Sequence, residues 1–315
     1  MRVSVVVPTY DHQRYIDEAV SSVLRQRTSF DFEVILSEDC STDGTRDKVL
    51  EWGRRSDRVR LLLSDVNLRS NEVVARGFRA ALGEYIALLD GDDLWTSPDK
   101  LERQVEFLDR NPGCTMCFHN ASVIDAEGII QAGRTWTSID VKRYSTLEDI
   151  LAGNFIATCT TMFRNGVLEN VPAWYADFFP MTDWPLYVLY AEHGQIGYIP
   201  EVMGAYRIHS GGQYSRLTER QRLDRTDRFY RDIDGRTDGR HRQLVRRCHW
   251  RYFLDWALEY LGRGEVDLAK HCYRVSFGMG GPSTVRGWTE AFRVGLRVHA
   301  PGRRLPRSEE RGEQG

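Results

Sequence analysis

EYIALLDGDDLW, residues 84–95, is an apolar run that stops abruptly on three carboxylates, Asp90, Asp92 and Asp93, with Gly91 between the first two. Its first six residues, preceded by Gly83, read as a short buried strand. Working back from it, VRLLL (59–63), FEVILS (32–37) and VSVVVP (3–8) have the same character, apolar and rich in branched side chains. Helical spacing lies between them. Residues 14–26 place Tyr15, Ile16, Ala19, Val20, Val23 and Leu24 on one face, and Ser41-Thr42-Asp43-Gly44-Thr45 supplies turn and cap chemistry for a helix over 43–54. A third helix covers 71–82 and a fourth, opened by Pro98, covers 98–110, before the apolar stretch CTMCFHNASVID (114–125). Buried strands alternating with helices predict an α/β fold built on a doubly wound, mostly parallel sheet. In such sheets ligands bind beyond the carboxyl ends of the strands. The loops at 8–12, 37–41 and 90–95 are therefore expected to line one crevice.

The bulk composition excludes several classes. At 315 residues the chain is long enough for a large domain with an appendage. Its net charge of −2 gives no reason to expect nucleic acid as a partner. Lysine occurs only at 48, 100, 142 and 270, so the basic residues are nearly all arginine, which reads first as a compositional bias. No segment reaches the roughly 18 to 20 apolar residues of a membrane span. The amino-terminal run MRVSVVVPTY looks like a strand rather than a leader. Six cysteines at 40, 114, 117, 159, 248 and 272 are too sparse for a disulfide scaffold, and Cys114-x-x-Cys117 has no second pair to make a metal site. The expected compartment is the cytoplasm.

Past residue 129 the pattern becomes mixed, with a helix near 182–193 and short strands in QIGYIP and VMGAYRIH. From 216 it is charged and helical, and the end, PGRRLPRSEERGEQG from Pro301, has the composition of a disordered tail. The expected division is a domain over 1–215, a helical region over 216–300 and a tail over 301–315.

Asp and Gly favour turns and caps, so an isolated Asp-x-Asp carries little weight. Here the acids end a strongly apolar strand, and several carboxylates held together need a cation. Hard oxygen ligands suit Mg²⁺ or Mn²⁺, typically one or two carboxylates sharing the ion with substrate phosphates. A metal bound together with a diphosphate would relieve the repulsion.

Four stretches in order, VSVVVPTYDHQRYIDEAVSSVLRQ, LSEDCSTDGT, ALGEYIALLDGDDLW and FFPMTDWPL, resemble the inverting glycosyltransferase family 2, which has the GT-A fold. The resemblance covers roughly residues 1–210. It implies that Pro8, Thr9 and Tyr10 contact the nucleotide, that Asp39 accepts a hydrogen bond from the base, and that Asp90, Gly91 and Arg76 lie on the nucleotide sugar. It implies a Mn²⁺ or Mg²⁺ ion at Asp92, with Asp93 as an alternative ligand, and leaves open which of the three acids meets it. Asp183 matches the catalytic base, although from the residues alone it equally caps the helix after it. Arg207 and His209, in YRIHSGG, match a segment that closes over the diphosphate, giving Arg207 a phosphate contact and His209 a place on the metal. The chain departs from the family at Glu38, often Asp, and at Gly77, often Asn.

The resemblance thus implies a nucleoside diphosphate sugar donor, an acceptor hydroxyl on a lipid-linked glycan or small molecule, and a single displacement. A dinucleotide oxidoreductase would need a glycine-rich turn where this chain has PTYDHQRY. A sugar nucleotidyltransferase would need a basic, glycine-rich loop there, and a non-catalytic sugar-nucleotide scaffold would have no use for Asp183. One feature stands outside this reading. In STVRGWTEAFRVGLRVH (283–299), Val285, Trp288, Phe292 and Leu296 share a helical face, with Arg286, Arg293 and Arg297 taken as opposite. The expectation is that this face packs against the catalytic domain. The alternative is an in-plane contact with the inner face of the plasma membrane.

Overall fold

The structure is a computed structural model in which residues 1–137, 141–237 and 239–299 are described. The tail from Pro301, expected to be disordered, lies outside the described residues. The chain divides into two compact units, Met1–Thr218 and the remainder from Glu219.

The first unit is a mixed α/β structure. In chain order it contains β1 (Val3–Thr9), α1 (Ile16–Leu24), β2 (Phe32–Glu38), α2 (Thr45–Arg55), β3 (Val59–Leu63), α3 (Glu72–Ala80), β4 (Tyr85–Leu88) and β5 (Leu94–Trp95). There follow α4 (Lys100–Arg110), β6 (Cys114–Ile124), β7 (Ile130–Thr135), β8 (Tyr144–Ser145), α5 (Leu147–Ala152), β9 (Thr161–Arg164), α6 (Trp184–Ala191) and β10 (Gln195–Arg207). The sheet runs β3-β2-β1-β4-β9-β6-β10-β5, with β7 on β6 and β8 on β10. β1 pairs in parallel with β2 and β4, and β2 with β3, as the alternation of apolar runs and helices predicts. β9 then inserts antiparallel between β4 and β6, while β6 and β10 are parallel.

Within the parallel half β1, β2 and β4 are buried on both faces, while β3 is a partly exposed edge. Every residue of β1 and β2 is inside, which is why their sequences run apolar without alternation. α3 packs so closely on β1 that a Cβ at Gly77 would lie 2.4 Å from Val6 Cγ1. A side chain at 77 would have to displace that of Val6, so glycine suits the close packing here. QIGYIP and VMGAYRIH form one strand, β10, rather than two. Its register shifts between Ile199 and Val202, where Pro200 and Glu201 turn outward. All six cysteines are free thiols, and Cys114 and Cys117 are buried on β6.

The second unit consists of helices: α7 (Glu219–Arg236), α8 (Arg242–Gly262), α9 (Val266–Ser276) and α10 (Val285–His299). α10 packs on α8 and α9. Its buried residues are Gly287, Ala291, Val294, Gly295 and Val298. The face expected to be buried is the exposed one: Val285 is 84% exposed, Trp288 55%, Phe292 66% and Leu296 41%. Close approach explains the inversion. A Cβ on Gly295 would lie 2.4 Å from the Tyr273 hydroxyl, and one on Gly287 would lie 3.3 Å from the Trp250 ring. Small residues let the backbone of α10 sit down on its neighbours, and that leaves the large ones outside. No helix among the described residues is long and apolar enough to cross a membrane.

Candidate active site

The loops after β1, β2 and β4 are laced together at the carboxyl ends of their strands. Asp39 N–H donates to Thr9 O at 3.0 Å and Gly91 N–H to Pro8 O at 3.1 Å. Asp11, in a left-handed backbone conformation with φ 54°, accepts from Thr42 N–H at 2.7 Å. Gln13 N–H donates to Asp43 Oδ2 at 3.0 Å. Pro8 and Thr9 are buried at the end of β1, and Tyr10 is partly exposed beyond them. Gly91 has a steric role of its own. A Cβ there would lie 2.7 Å from both His12 Nδ1 and Thr9 Oγ1.

The acids sit on this frame. Asp92 Oδ2 lies 2.9 Å from His209 Nε2 and 3.5 Å from His12 Nε2. Burial pushes the Asp92 carboxyl up, but the two imidazoles outweigh it and hold it below the ordinary range. Asp90 has no such help. Burial, Asp92 and Asp183 together push it up to about 8, against a single hydrogen bond with Thr158. Asp93 is raised too, by burial and by its two neighbours. Its Oδ1 accepts from Arg207 N–H at 2.7 Å. Its buried Oδ2 has no conventional hydrogen-bond partner and meets only the weak thiol of Cys159. The cluster is therefore short of positive charge on the side away from the histidines.

Asp183 enters from the other half of the sheet, at the start of α6. Its Oδ1 accepts from Trp184 N–H at 2.7 Å, so the capping role is real, and its Oδ2 accepts from Asn154 Nδ2 at 2.7 Å. Burial raises its pKa and these two donors hold the rise back. It is close enough to Asp90 to raise that group as well.

The sequence profile of glycosyl transferase family 2 matches residues 4–171. This chain belongs to glycosyltransferase family 2. It is 36% identical over 223 residues to an uncharacterized protein of Mycobacterium tuberculosis, an alignment covering 70% of this chain and 63% of that one. The chain thus spans less than two thirds of that relative's length. It is 32% identical over 128 residues to WfgD of Escherichia coli, a UDP-Glc:α-D-GlcNAc-diphosphoundecaprenol β-1,3-glucosyltransferase, covering 41% of this chain and 49% of WfgD. Among solved structures it is similar to S. aureus TarS 1–349 in complex with UDP-GlcNAc, with a TM-score of 0.63, 17% identity, and 95% and 90% of the two chains covered. That likeness is one of fold, the GT-A architecture of these transferases.

Within this family member the remaining expected residues divide sharply. Glu38 is occupied: its carboxylate accepts from Ser41 N–H at 2.6 Å and from the Arg46 guanidinium. Asp39, next to it, accepts from Leu68 N–H at 2.9 Å and is raised by burial. The two acids, interchangeable on paper, thus have separate positions. Arg76 donates to Ser37 Oγ, Ser64 Oγ, Glu38 O and Leu62 O, which binds it to the ends of β2 and β3. Arg207, expected on the diphosphate, is 4% exposed and committed to the protein. It donates to Asp92 O at 2.8 Å, to Asp125 O at 3.3 Å and to Glu18 Oε2 at 2.6 Å, with its guanidinium 4.6 Å from the Tyr15 ring centre. Strand β10 ends there, and burial forces the guanidinium to satisfy itself locally. It braces the acidic loop.

Sequence reading passed over His12, Asn154 and Thr158. His12 carries a signal in retrospect, since the loops at 8–12 and 90–95 are expected to share one crevice. Among the described residues, no three His, Cys, Asp or Glu side chains converge as a complete metal cage. Asp92 Oδ2 and His209 Nε2, 2.9 Å apart, are donors of the kind that bind a cation shared with a substrate diphosphate.

Proposed function

We propose that this chain transfers a sugar from a nucleoside diphosphate sugar to an acceptor hydroxyl with inversion at the anomeric carbon. One observation carries the reading. Asp183, at the start of α6, and Asp90, after β4, come from opposite halves of the sheet, yet Asp183 lies close enough to raise the Asp90 carboxyl. Asp183 accepts the proton of the acceptor hydroxyl as its oxygen bonds to the anomeric carbon, and the bond to the diphosphate breaks on the opposite face. A carboxylate raised by burial is a better proton acceptor than a solvated one, and Asn154 with Trp184 N–H keeps its oxygens aimed. Asp39 meets the base, with Pro8, Thr9 and Tyr10 along the nucleotide and Asp90 near the ribose.

Asp92 and His209 would hold a divalent cation, Mn²⁺ or Mg²⁺, that stabilises charge developing on the departing nucleoside diphosphate. WfgD, by its name, acts on a diphosphoundecaprenol-linked sugar. A lipid-linked or other glycan acceptor is accordingly the class we assign.

Asp183→Asn tests the reading, because it keeps the cap and removes the base. Binding of UDP-sugars measured by calorimetry should persist, while transfer falls by about two to four orders of magnitude. A variant that transfers at the native rate would reduce Asp183 to the helix cap it also forms. Chelation should abolish transfer and Mn²⁺ restore it; full activity in chelator would sink the metal role.

A further inference from the structure

α10 carries three arcs instead of the two that the sequence suggests. At about 100° per residue, Gly287, Ala291, Val294, Gly295 and Val298 form the arc buried on α8 and α9. Val285, Trp288, Phe292 and Leu296 form a second arc, which is exposed along the helix. Arg286, Arg293 and Arg297 form a third, also exposed. Its centre lies about 110° from that of the apolar arc, so the arginines border the stripe rather than oppose it. The one acid on that flank, Glu290, is bound by Arg251 of α8 at 2.9 Å, which leaves the arginines to set the sign of the local field. The stripe is anchored: Trp288 stacks on Phe277 with ring centres 6.0 Å apart.

We propose that this face of α10 is a docking surface for an anionic lipid bilayer, with Trp288 and Phe292 in the headgroup boundary and the three arginines against lipid phosphates. Charge complementarity selects this occupant. A helix lying in a bilayer surface needs an apolar sector with aromatic side chains, flanked by cations at the level of the headgroups. A sector flanked by arginine on one side and by protein on the other meets that need. A second copy of the chain fits less well. The four side chains present on the order of 400 Å² of apolar surface, about half of the roughly 800 Å² per partner in a stable interface. It would also bring like-charged arginines together. Residues 300–315 are a poor cover, since they include only Ala300 and Leu305 as aliphatic side chains apart from proline. The proposal is independent of the transfer reaction, and a failure of either leaves the other standing.

The test uses the full chain and extruded vesicles, either pure phosphatidylcholine or equal parts phosphatidylcholine and phosphatidylglycerol. The chain should sediment with the mixed vesicles and stay in the supernatant with the pure ones. Binding should weaken as salt is raised. Trp288→Ser with Phe292→Ser should lower the vesicle partition about tenfold or more, and Phe292→Ser alone, at a side chain 66% exposed, should lower it with the melting temperature unchanged. Arg286→Gln with Arg293→Gln and Arg297→Gln should abolish the preference for the mixed vesicles. A chain that ignores both vesicle types overturns the proposal, as does a Trp288/Phe292 variant that sediments like the parent. If light scattering shows a dimer that this variant converts to monomer, the occupant is a second copy and the lipid assignment is wrong.

Discussion

The two units handle charge in opposite ways. In Met1–Thr218 the decisive polar side chains are interior and each has several tasks. Arg207 holds three backbone carbonyls and Glu18, and Arg76 ties two serines and two carbonyls. From Glu219 onward, arginines lie along helix surfaces and pair one turn away, as in Arg220–Asp224, Arg228–Asp232 and Arg251–Asp255. An interior arginine cannot be removed without leaving buried acceptors bare, whereas a surface arginine leaves its partner to water. The same residue type is architecture at Arg76 and Arg207 and surface at Arg220, Arg228 and Arg251.

Arg207→Met should give the largest effect. It orphans the carbonyls of Asp92, Asp125 and Ala126 and releases the acidic loop, at a cost of roughly 3 kcal/mol or more. Urea denaturation should show the loss, and donor binding should fall with it because Asp92 moves. A variant within about 1 kcal/mol of the parent that binds donor normally would show that Arg207 is dispensable, and the contrast between the units would collapse.

Asn154→Ala comes next. It removes one of two donors aimed at Asp183, so kcat should drop about tenfold to a hundredfold with little change in the donor KM. The Asn154 N–H favours the ionised carboxylate, so its loss raises the Asp183 pKa. The base form then appears only at higher pH, and the acidic limb of the rate profile should move upward. A lowered rate with an unmoved profile would make Asn154 a packing residue only.

Much of the first unit is legible in the sequence because its cues are local. Strands buried on both faces are apolar throughout, and Asp90-Gly91-Asp92-Asp93 directly follows one of them. What escaped depended on distance or on scale. His12 meets Asp92 across 80 positions of chain, and Asn154 meets Asp183 from the far side of an irregular stretch. Arg207 at a strand end gives no sign in the sequence of its burial or of the carbonyls it holds. α10 misleads for a different reason. A helical wheel weighs large apolar residues, but Gly287, Ala291 and Gly295 form the buried face because they admit close approach. β10 looks like two strands because Pro200 and Glu201 interrupt its apolar run, while the backbone accommodates them by shifting register.

Lys100 extends the contrast to a charge that the interior tolerates poorly. Its Nζ has no hydrogen-bond partner and lies 3.7 Å from the Trp95 ring centre, and burial lowers its pKa from the ordinary 10.5 to about 7. Between those values the unfolded chain holds a proton that the folded one has released, so the lysine's contribution to stability rises with pH across that window. Lys100→Met should therefore be more stable than the parent at pH 7, by about 1 to 2 kcal/mol. The advantage should shrink as pH approaches 10. Melting curves for both proteins at pH 7 and 9 decide it. Parallel responses to pH would mean that the ammonium has a partner in solution.

Arg228→Ala should give the smallest effect, and its smallness is the point. Arg228 Nε lies 3.4 Å from Asp232 Oδ2, one turn along α7, and the arginine side chain is 72% exposed. At that exposure water screens the attraction, and fixing two long side chains costs entropy, so such pairs contribute about 0.5 kcal/mol or less. Alanine also favours the helix slightly over arginine, which offsets part of the loss. Urea denaturation should place the variant within about 0.5 kcal/mol of the parent, with no change in donor binding and no dependence of the difference on salt beyond that range. A loss near that of Arg207→Met would show that the surface pairs of α7 act as a network rather than singly. The division between structural arginines in one unit and surface arginines in the other would then be wrong at its second half.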